Sequence, residues 1–275
     1  SRRGFLGGAA ALAAPLAAVP TPAPAQSAAP DLKLAIASYS FREFQRSAAI
    51  RMTKQLGIKY LSVKEFHIPY SATAAERERA RTQIANAGIE LLSGGVIYMQ
   101  KNDEAEIKSY FDYAKDCGMG MMVIAPSAAS MPTIEKFVKQ YNIKVALHNH
   151  GPEDKHIPNS RDAMKLIKDM DPRVGLCIDI GHEVRTGVDL IESIELAGSR
   201  LIDFHIKDLK DKTKASSQVP VGDGVLPVVG MFKALRKMNY QHTVTLEYEI
   251  DAADPLLGMS KSFAYMRGVL AGLNG

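Results

Sequence analysis

The strongest constraint on the fold is a regular alternation of short apolar runs and amphipathic stretches, which begins at residue 33 and continues to the C-terminal region. Eight apolar runs have the length of β-strands, namely 33–39, 60–65, 90–97, 119–125, 143–148, 174–179, 201–206 and 243–248. Eight stretches with helical spacing lie between and after them, namely 48–56, 74–87, 104–116, 133–141, 161–168, 190–197, 229–238 and 256–273. Apolar strands alternating with helices predict a parallel sheet covered by helices.

Eight strand and helix units predict an α/β fold of one particular kind, a closed (β/α)8 TIM barrel that forms a single domain over residues 33–275. The competing arrangement is a doubly wound open sheet, which usually carries a glycine-rich phosphate turn after its first strand. Here the first strand is followed by Ser38-Tyr39-Ser40-Phe41, without a glycine. Gly57, Gly88 and Gly118 follow predicted helices, which fits short return loops to the next strand.

Composition narrows the class of protein. The 275 residues are 46% hydrophobic and 23% charged, which is ordinary for a globular chain. The formal net charge is only +4, which is too weak for a nucleic-acid-binding surface. The chain has no tryptophan, so a sugar ring would have to stack on tyrosine or phenylalanine. Cys177 lies inside an apolar run, and we interpret it as a core residue rather than half of a disulfide with Cys117.

The first 25 residues differ from the rest of the chain. Arg2 and Arg3 precede an apolar run rich in Ala, Leu and Gly, and the segment ends in Ala23-Pro24-Ala25. This order is typical of a signal peptide, and the paired arginines resemble a twin-arginine export signal. The apolar run is shorter than the ~20 residues that span a bilayer, so a retained membrane anchor is the less favoured alternative. We therefore predict a signal peptide at 1–25, a linker at 26–32, export by the twin-arginine machinery and a periplasmic location.

Polar residues follow the last four predicted strands. The ends of these strands carry His148, Asp179, His205 and Glu247, and in a barrel such ends form the active face. One buried His or Asp is commonly a satisfied core residue, but four would each need a partner. A single divalent cation satisfies all four. Two imidazoles and two carboxylates suit Mn, Co, Zn or Fe better than Mg, so we predict a metal site.

Two further segments leave alternatives open. On the second strand Lys64 and Glu65 should face opposite sides, and the small Ser62 beneath Lys64 is compatible with a lysine that points to the site. A solvated loop lysine is equally compatible, and His67 would lie over the rim. Gly222-Asp223-Gly224 follows a Lys-rich stretch and is a weak turn signal, compatible with a lid or a phosphate-binding loop.

These motifs together resemble the xylose-isomerase-like barrel superfamily, the sugar phosphate isomerase/epimerase group, from about Leu34 to the C-terminus. The residues that carry the resemblance are Asp179-Ile180-Gly181-His182, His205-Ile206-Lys207-Asp208, residues 221–225 and Leu246-Glu247-Tyr248. The resemblance implies a divalent metal held by residues of the last four strands. It also implies that His182 and Lys207 contact the substrate.

The chain departs from the family pattern on two strands. His148-Asn149-His150 stands where the family usually has Glu-Asn-His, and Lys64 stands where an acidic residue is usual. A coordinated His148 is a poor proton carrier, so epimerisation by two symmetric carboxylates is disfavoured. This variant resembles exported superfamily members that include enzymes cleaving 3-keto-glycosides by elimination and hydration.

We therefore expect a metal-dependent sugar isomerase or epimerase that abstracts a proton next to a carbonyl through a metal-stabilised enediolate. Glu247 is the expected base, and His150 or Lys64 is the expected acid on the opposite side. The expected hydroxyl-binding residues are His67, His182 and Lys207.

The substrate would be an unphosphorylated sugar. Alternatives are a 3-keto-glycoside lyase or hydratase and a non-catalytic, metal-dependent sugar-binding protein. The superfamily also contains apurinic endonucleases, but the weak charge disfavours DNA; a homo-oligomer is compatible with the sequence.

Overall fold

The computed structural model describes residue 4 and residues 32–274. The strands are β1 (Lys33–Ala37), β2 (Tyr60–Val63), β3 (Glu90–Met99), β4 (Met121–Pro126), β5 (Lys144–His148), β6 (Val174–Asp179), β7 (Leu201–Ile206), β8 (Asp208–Leu209), β9 (Gln218–Val219) and β10 (Thr243–Leu246). The helices are α1 (Arg46–Gln55), α2 (Ala74–Asn86), α3 (Glu104–Asp116), α4 (Met131–Tyr141), α5 (Ser160–Ile167), α6 (Ile180–Val184), α7 (Leu190–Ala197), α8 (Val228–Lys237) and α9 (Leu256–Asn274).

Eight of the strands close into a barrel in the order β1-β10-β7-β6-β5-β4-β3-β2. Each neighbouring pair is parallel, and closure is made by β1 against β10, where Lys33 pairs with Thr243. The two remaining strands, β8 and β9, form a small antiparallel hairpin after β7. The predicted (β/α)8 barrel is confirmed, and the open doubly wound sheet is excluded because the sheet has no edge.

The core has two parts. The larger part lies between the barrel and its helices. The smaller part lies inside the barrel and is built from Val96, Val123, Ala125, Ala146, Cys177 and Ile202. Cys177 therefore has the core position expected for it, and both Cys177 and Cys117 are buried free thiols.

Local signals explain where most helices begin and end. Thr73 and Glu76 form a reciprocal capping box at the start of α2. Gly57, Gly88 and Gly118 have positive φ angles of 66°, 75° and 69°, which is the left-handed conformation expected of a residue that ends a helix. Helix α6 was not predicted, since its 5 residues are too few to show a periodic pattern.

The predicted signal peptide at 1–25 and linker at 26–32 lie outside the described residues, apart from Gly4 and Leu32. Within the part of the chain that the structure describes, no helix has both the length and the apolar character needed to cross a bilayer.

Candidate metal centre

The four residues predicted as metal ligands meet at the C-terminal mouth of the barrel. His148 ends β5, Asp179 ends β6, His205 lies on β7 and Glu247 follows β10 directly. One ligand atom from each residue lies within 4.8 Å of those of the other three, and all four residues are buried. The barrel order places β5, β6, β7 and β10 side by side, which explains the convergence of residues that are far apart in sequence.

The separations within the cluster match the edges of a coordination polyhedron. His148 Nε2 lies 3.1 Å from His205 Nδ1, which lies 3.3 Å from Glu247 Oε2. His148 Nε2 lies 3.6 Å from Asp179 Oδ2. Two ligands bound tetrahedrally at ~2.0–2.1 Å from one ion would lie about 3.3 Å apart. The residues present therefore fit a divalent transition metal, and a mixed nitrogen and oxygen donor set suits Mn, Co, Zn or Fe.

The electrostatic environment differs between the two imidazoles. Burial lowers the pKa of His148 to about 3, so this ring is neutral and has a lone pair available for a metal. Burial would also lower the pKa of His205, but the neighbouring Glu247, Asp203 and Asp179 carboxylates outweigh it and raise that pKa to about 9. A metal ion must therefore compete with a proton at His205.

Asp203 is a buried carboxylate on the far side of His205 that the sequence analysis missed. Its Oδ2 lies 3.6 Å from His205 Nε2, while its Oδ1 accepts a hydrogen bond from Thr245 Oγ1 at 3.0 Å. No hydrogen bond joins the two groups at this separation, and His205 Nε2 has no hydrogen-bond partner among the described residues. Asp203 therefore acts on the imidazole through its charge, which helps to raise the pKa of His205. The available signal was the position of Asp203 two residues before His205, which places both on the inner face of β7.

Lys207 lies among the carboxylates of the site. Its Nζ lies 2.9 Å from Asp179 Oδ2, 3.2 Å from Glu247 Oε2 and 2.7 Å from Glu249 Oε2. Burial opposes the charge of Lys207, but these carboxylates outweigh it and raise the pKa well above its usual value. The Lys207 ammonium therefore neutralises part of the negative charge of these three carboxylates. The structure also brings in Glu249, a site carboxylate to which the sequence analysis gave no role, and burial raises its pKa.

Two further histidines adjoin the cluster. The His150 ring centroid is 4.6 Å from that of His148, and the His182 ring centroid is 5.8 Å from it. Burial lowers the pKa of His182 to about 4. Asp179 fixes the start of α6 because its Oδ1 accepts a hydrogen bond from the His182 backbone N–H at 2.9 Å. The structure therefore places the His150 and His182 rings beside the candidate ligand His148.

A cavity of about 340 Å³ opens beside His150 and is lined by Tyr98, Gln100, His150, Glu153, Asp154, Lys155 and His156. Tyr98 is 56% exposed and stacks on the His150 ring with centroids 5.6 Å apart. Its hydroxyl lies 3.4 Å from His150 Nε2. The cavity therefore has an aromatic wall and several polar side chains next to the metal centre.

Lys64 lies beside this aromatic wall rather than among the four candidate ligands. Its Nζ donates to the Val96 carbonyl at 2.5 Å, lies 5.6 Å from the Tyr98 ring centroid and forms a 3.3 Å ion pair with Glu65. The expectation that Lys64 and Glu65 face opposite sides is wrong, because β2 ends at Val63. Lys64 begins a turn, in which the Lys64 backbone carbonyl accepts a hydrogen bond from the His67 N–H at 2.9 Å.

His67 is buried below the rim and holds the first two loops together. Its Nδ1 lies 2.8 Å from Ser38 Oγ and its Nε2 lies 3.0 Å from the Phe44 carbonyl oxygen. Both ring nitrogens are therefore engaged within the protein, and burial lowers the pKa of the ring. The arrangement favours a structural position over the predicted contact with a sugar hydroxyl.

The loop that contains Gly222 and Gly224 is fastened to Asp208. The Asp208 Oδ2 accepts the backbone N–H groups of Gly222 at 2.9 Å and Gly224 at 3.1 Å, and Oδ1 accepts that of Leu226 at 3.1 Å. These are the amides that a phosphate-binding loop would offer to its ligand. Because Asp208 already occupies them, the geometry disfavours the phosphate-loop alternative.

Comparison with known proteins agrees with this architecture. The sequence profile described as xylose isomerase-like TIM barrel matches residues 45–269. A protein of Escherichia coli strain K12, named as a candidate L-ribulose-5-phosphate 3-epimerase, is 32% identical over 84 residues. That match covers 29% of this chain and 29% of the relative, so the chain aligns with less than a third of that protein.

Two solved structures share the fold. The 3-keto-D-glucoside 4-epimerase of E. coli has a TM-score of 0.72 at 18% identity, over 86% of this chain and 99% of that chain. The IOLI protein with a bound zinc atom has a TM-score of 0.75 at 16% identity, over 88% of this chain and 99% of that chain. At these identities the likeness is one of fold.

Proposed function

The chain belongs to the xylose isomerase-like TIM barrel family, and from this membership we propose that it is a divalent-metal-dependent sugar isomerase or epimerase. The proposed reaction removes a proton from the carbon next to a carbonyl group. The observation that carries the proposal is the convergence of four buried ligand atoms within 4.8 Å at the mouth of the barrel. The names of the epimerases and the zinc atom in the comparisons above add support.

The residues that would hold the ion are His148, Asp179, His205 and Glu247. A divalent ion bound there polarises a carbonyl oxygen and so makes the neighbouring C–H more acidic. Two charged residues act on the ligands: the Asp203 carboxylate faces His205 Nε2 at 3.6 Å, and Lys207 offsets the charge of Asp179 and Glu247. The predicted contact of Lys207 with a substrate oxygen stays part of this proposal.

The chain supplies several groups that can move the proton. The Lys207 ammonium and the His205 ring outweigh burial and lower the pKa of Glu247, so Glu247 is deprotonated and can accept a proton. The candidates for the second proton carrier are His150, Lys64 and Glu249. The His150 ring centroid is 4.6 Å from that of His148. Glu249 contacts Lys207 at 2.7 Å and has a raised pKa, which suits a group that is alternately protonated and deprotonated.

We further propose that the sugar is unphosphorylated. The backbone amides of Gly222, Gly224 and Leu226 are bound to the Asp208 carboxylate, which would also repel a phosphate. An unphosphorylated substrate agrees with the periplasmic location proposed from the paired arginines near the N-terminus.

Solvent exchange tests the proposal directly. Metal-loaded protein is incubated with a panel of unphosphorylated keto-sugars in deuterated water, and the sugars are followed by proton NMR. We expect deuterium next to the carbonyl of at least one sugar, and an isomer of equal mass as product. Glu247→Gln should abolish exchange while metal stays bound, whereas Glu104→Gln, a matched change of a carboxylate that is 64% exposed, should exchange normally.

Two outcomes contradict the proposal. Exchange at an undiminished rate in Glu247→Gln rules out Glu247 as the base. Sugar binding without exchange in the unsubstituted protein favours the alternative of a sugar-binding protein without catalysis.

A second candidate is a 3-keto-glycoside lyase, and two observations favour it. The cavity of about 340 Å³ with its Tyr98 wall gives room next to the metal centre for the group that leaves when a glycosidic bond breaks. In addition, His148 leaves the β5 position without a carboxylate for a symmetric return of the proton. Product analysis separates the two reactions, since a lyase releases the aglycone and an isomerase does not.

A further inference from the structure

A buried arginine contacts one of the candidate substrate-binding histidines. The Arg185 side chain is only 4% exposed, and its Nη2 lies 2.8 Å from His182 Nδ1. The same guanidinium donates to the His150 carbonyl at 3.2 Å and to Glu153 Oε1 at 2.5 Å. Asp179 directly precedes α6 and Arg185 directly follows it, so the two residues flank the same short helix.

The contact decides which ring nitrogen of His182 carries the proton. A guanidinium has only N–H donors, has no acceptor and stays charged in proteins. Nδ1 must therefore be the acceptor, because a proton on Nδ1 would point at an N–H group. A neutral imidazole has one N–H, so that proton lies on Nε2. This tautomer follows from the hydrogen-bond geometry.

The Nε2–H group is free to meet a ligand. Within the described residues, His182 Nε2 has no hydrogen bond to a protein acceptor. It is also absent from the enclosed side-chain atoms that lack a partner, so it is accessible from outside the protein. The ring lies next to His148 and His150, with centroids 5.8 and 5.5 Å away. The backbone N–H of His182 is held by Asp179, which fixes the start of the side chain.

The surrounding backbone is shaped to admit the guanidinium. Gly151 has a φ angle of +84°, and a Cβ atom at this position would lie 2.5 Å from Arg185 Nη2. A larger residue at 151 would therefore displace the very nitrogen that contacts His182. Glu153, which is 68% exposed, holds the opposite side of the guanidinium.

We propose that Arg185 is a positioning residue that fixes His182 as an Nε2–H donor to a carbonyl or hydroxyl oxygen of the sugar at the metal centre. This inference rests on the proposed function for the identity of the ligand. The tautomer itself depends only on the protein, so it can be measured without a substrate.

Nitrogen-15 NMR of histidine-labelled protein tests the tautomer. The His182 signals are assigned by their absence in His182→Asn, in both metal-free and zinc-loaded protein. We expect an unprotonated Nδ1 and a protonated Nε2 in the unsubstituted protein. Arg185→Met should introduce an Nδ1–H population, and Arg185→Lys should restore the Nε2–H form because an ammonium is also only a donor. Glu153→Gln is the matched control and should keep the tautomer.

Kinetics on any sugar that exchanges tests the consequence. Arg185→Met should lower kcat/KM by about 10- to 100-fold, the usual effect of removing a partner that orients an active-site imidazole, and Arg185→Lys should recover most of it. A protonated Nδ1 in the unsubstituted protein, or an unchanged tautomer in Arg185→Met, would overturn the inference. The expected tautomers in a protein that exchanges no sugar proton would instead contradict the proposed function.

Discussion

Metal binding at the cluster should depend steeply on pH, and His205 determines the slope. In the metal-free protein the pKa of His205 is about 9, so the ring is protonated at neutral pH and must lose its proton when it binds an ion. One pKa unit corresponds to about 1.4 kcal/mol, so at pH 7 the deprotonation costs about 2.7 kcal/mol. Metal affinity at pH 7 should therefore be about 100-fold below its limit above pH 9.

The raised pKa of His205 determines whether metal affinity rises or falls with pH. Because the pKa of His205 is raised, affinity rises as the pH rises and levels off above about 9. His148, with a pKa lowered to about 3, is already neutral and adds no slope in this range. We expect an increase of about 100-fold between pH 6 and pH 8, with one proton released per ion.

Isothermal titration calorimetry with Zn²⁺ or Mn²⁺ measures both quantities. The affinity is determined at pH 6, 7 and 8, and at pH 7 in two buffers with different ionisation enthalpies, which gives the number of protons released. His205→Asn is the informative variant, since it should bind metal more weakly but with little dependence on pH. An unsubstituted protein whose affinity is constant from pH 6 to pH 8, or that releases no proton, would refute the assignment of His205 as a protonated ligand.

Three further perturbations test other contacts. Asp203→Asn should weaken metal binding by about 10- to 100-fold, because the carboxylate that faces His205 Nε2 at 3.6 Å is lost; calorimetry showing unchanged affinity would argue against an effect of Asp203 on His205. Glu183→Ala should lower the free energy of unfolding by about 1–3 kcal/mol, since this fully buried carboxylate accepts the Ser160 N–H at 2.9 Å; an unchanged urea midpoint would contradict this. Gly151→Ala should destabilise the fold by about 1–2 kcal/mol from its positive φ alone, measured by thermal unfolding, and equal stability would show that the loop can rearrange.

The sequence predicted the barrel and its ligand cluster because both depend on local patterns that repeat. Each of the strands β5, β6 and β7 is an apolar run that stops at or next to a polar residue, and in a closed parallel barrel these stops share one end. Only the topology, and no measured contact, was needed to bring His148, Asp179 and His205 together. The boundaries of β6 and β7 agree with the prediction to the residue.

The misses have a common physical origin in loops and non-local contacts. Lys64 and Glu65 do not alternate because β2 ends at Val63, two residues before the predicted end of the strand. His67 was expected over the rim, but its two partners, Ser38 and the Phe44 carbonyl, come from another loop that no local pattern reveals. Arg185 and Asp208 act through contacts with His182 and with the Gly222 loop, which only the folded chain displays.

The four candidate ligands each come from a different strand of the barrel or from the residue directly after it, and this distribution couples metal binding to folding of the barrel. No two of them are neighbours in the chain, so the unfolded polypeptide offers no preformed pair, and the cage exists only after β5, β6, β7 and β10 have docked in register. An ion bound there would connect these four strands and oppose their separation. Loss of the ion would therefore destabilise that side of the barrel first.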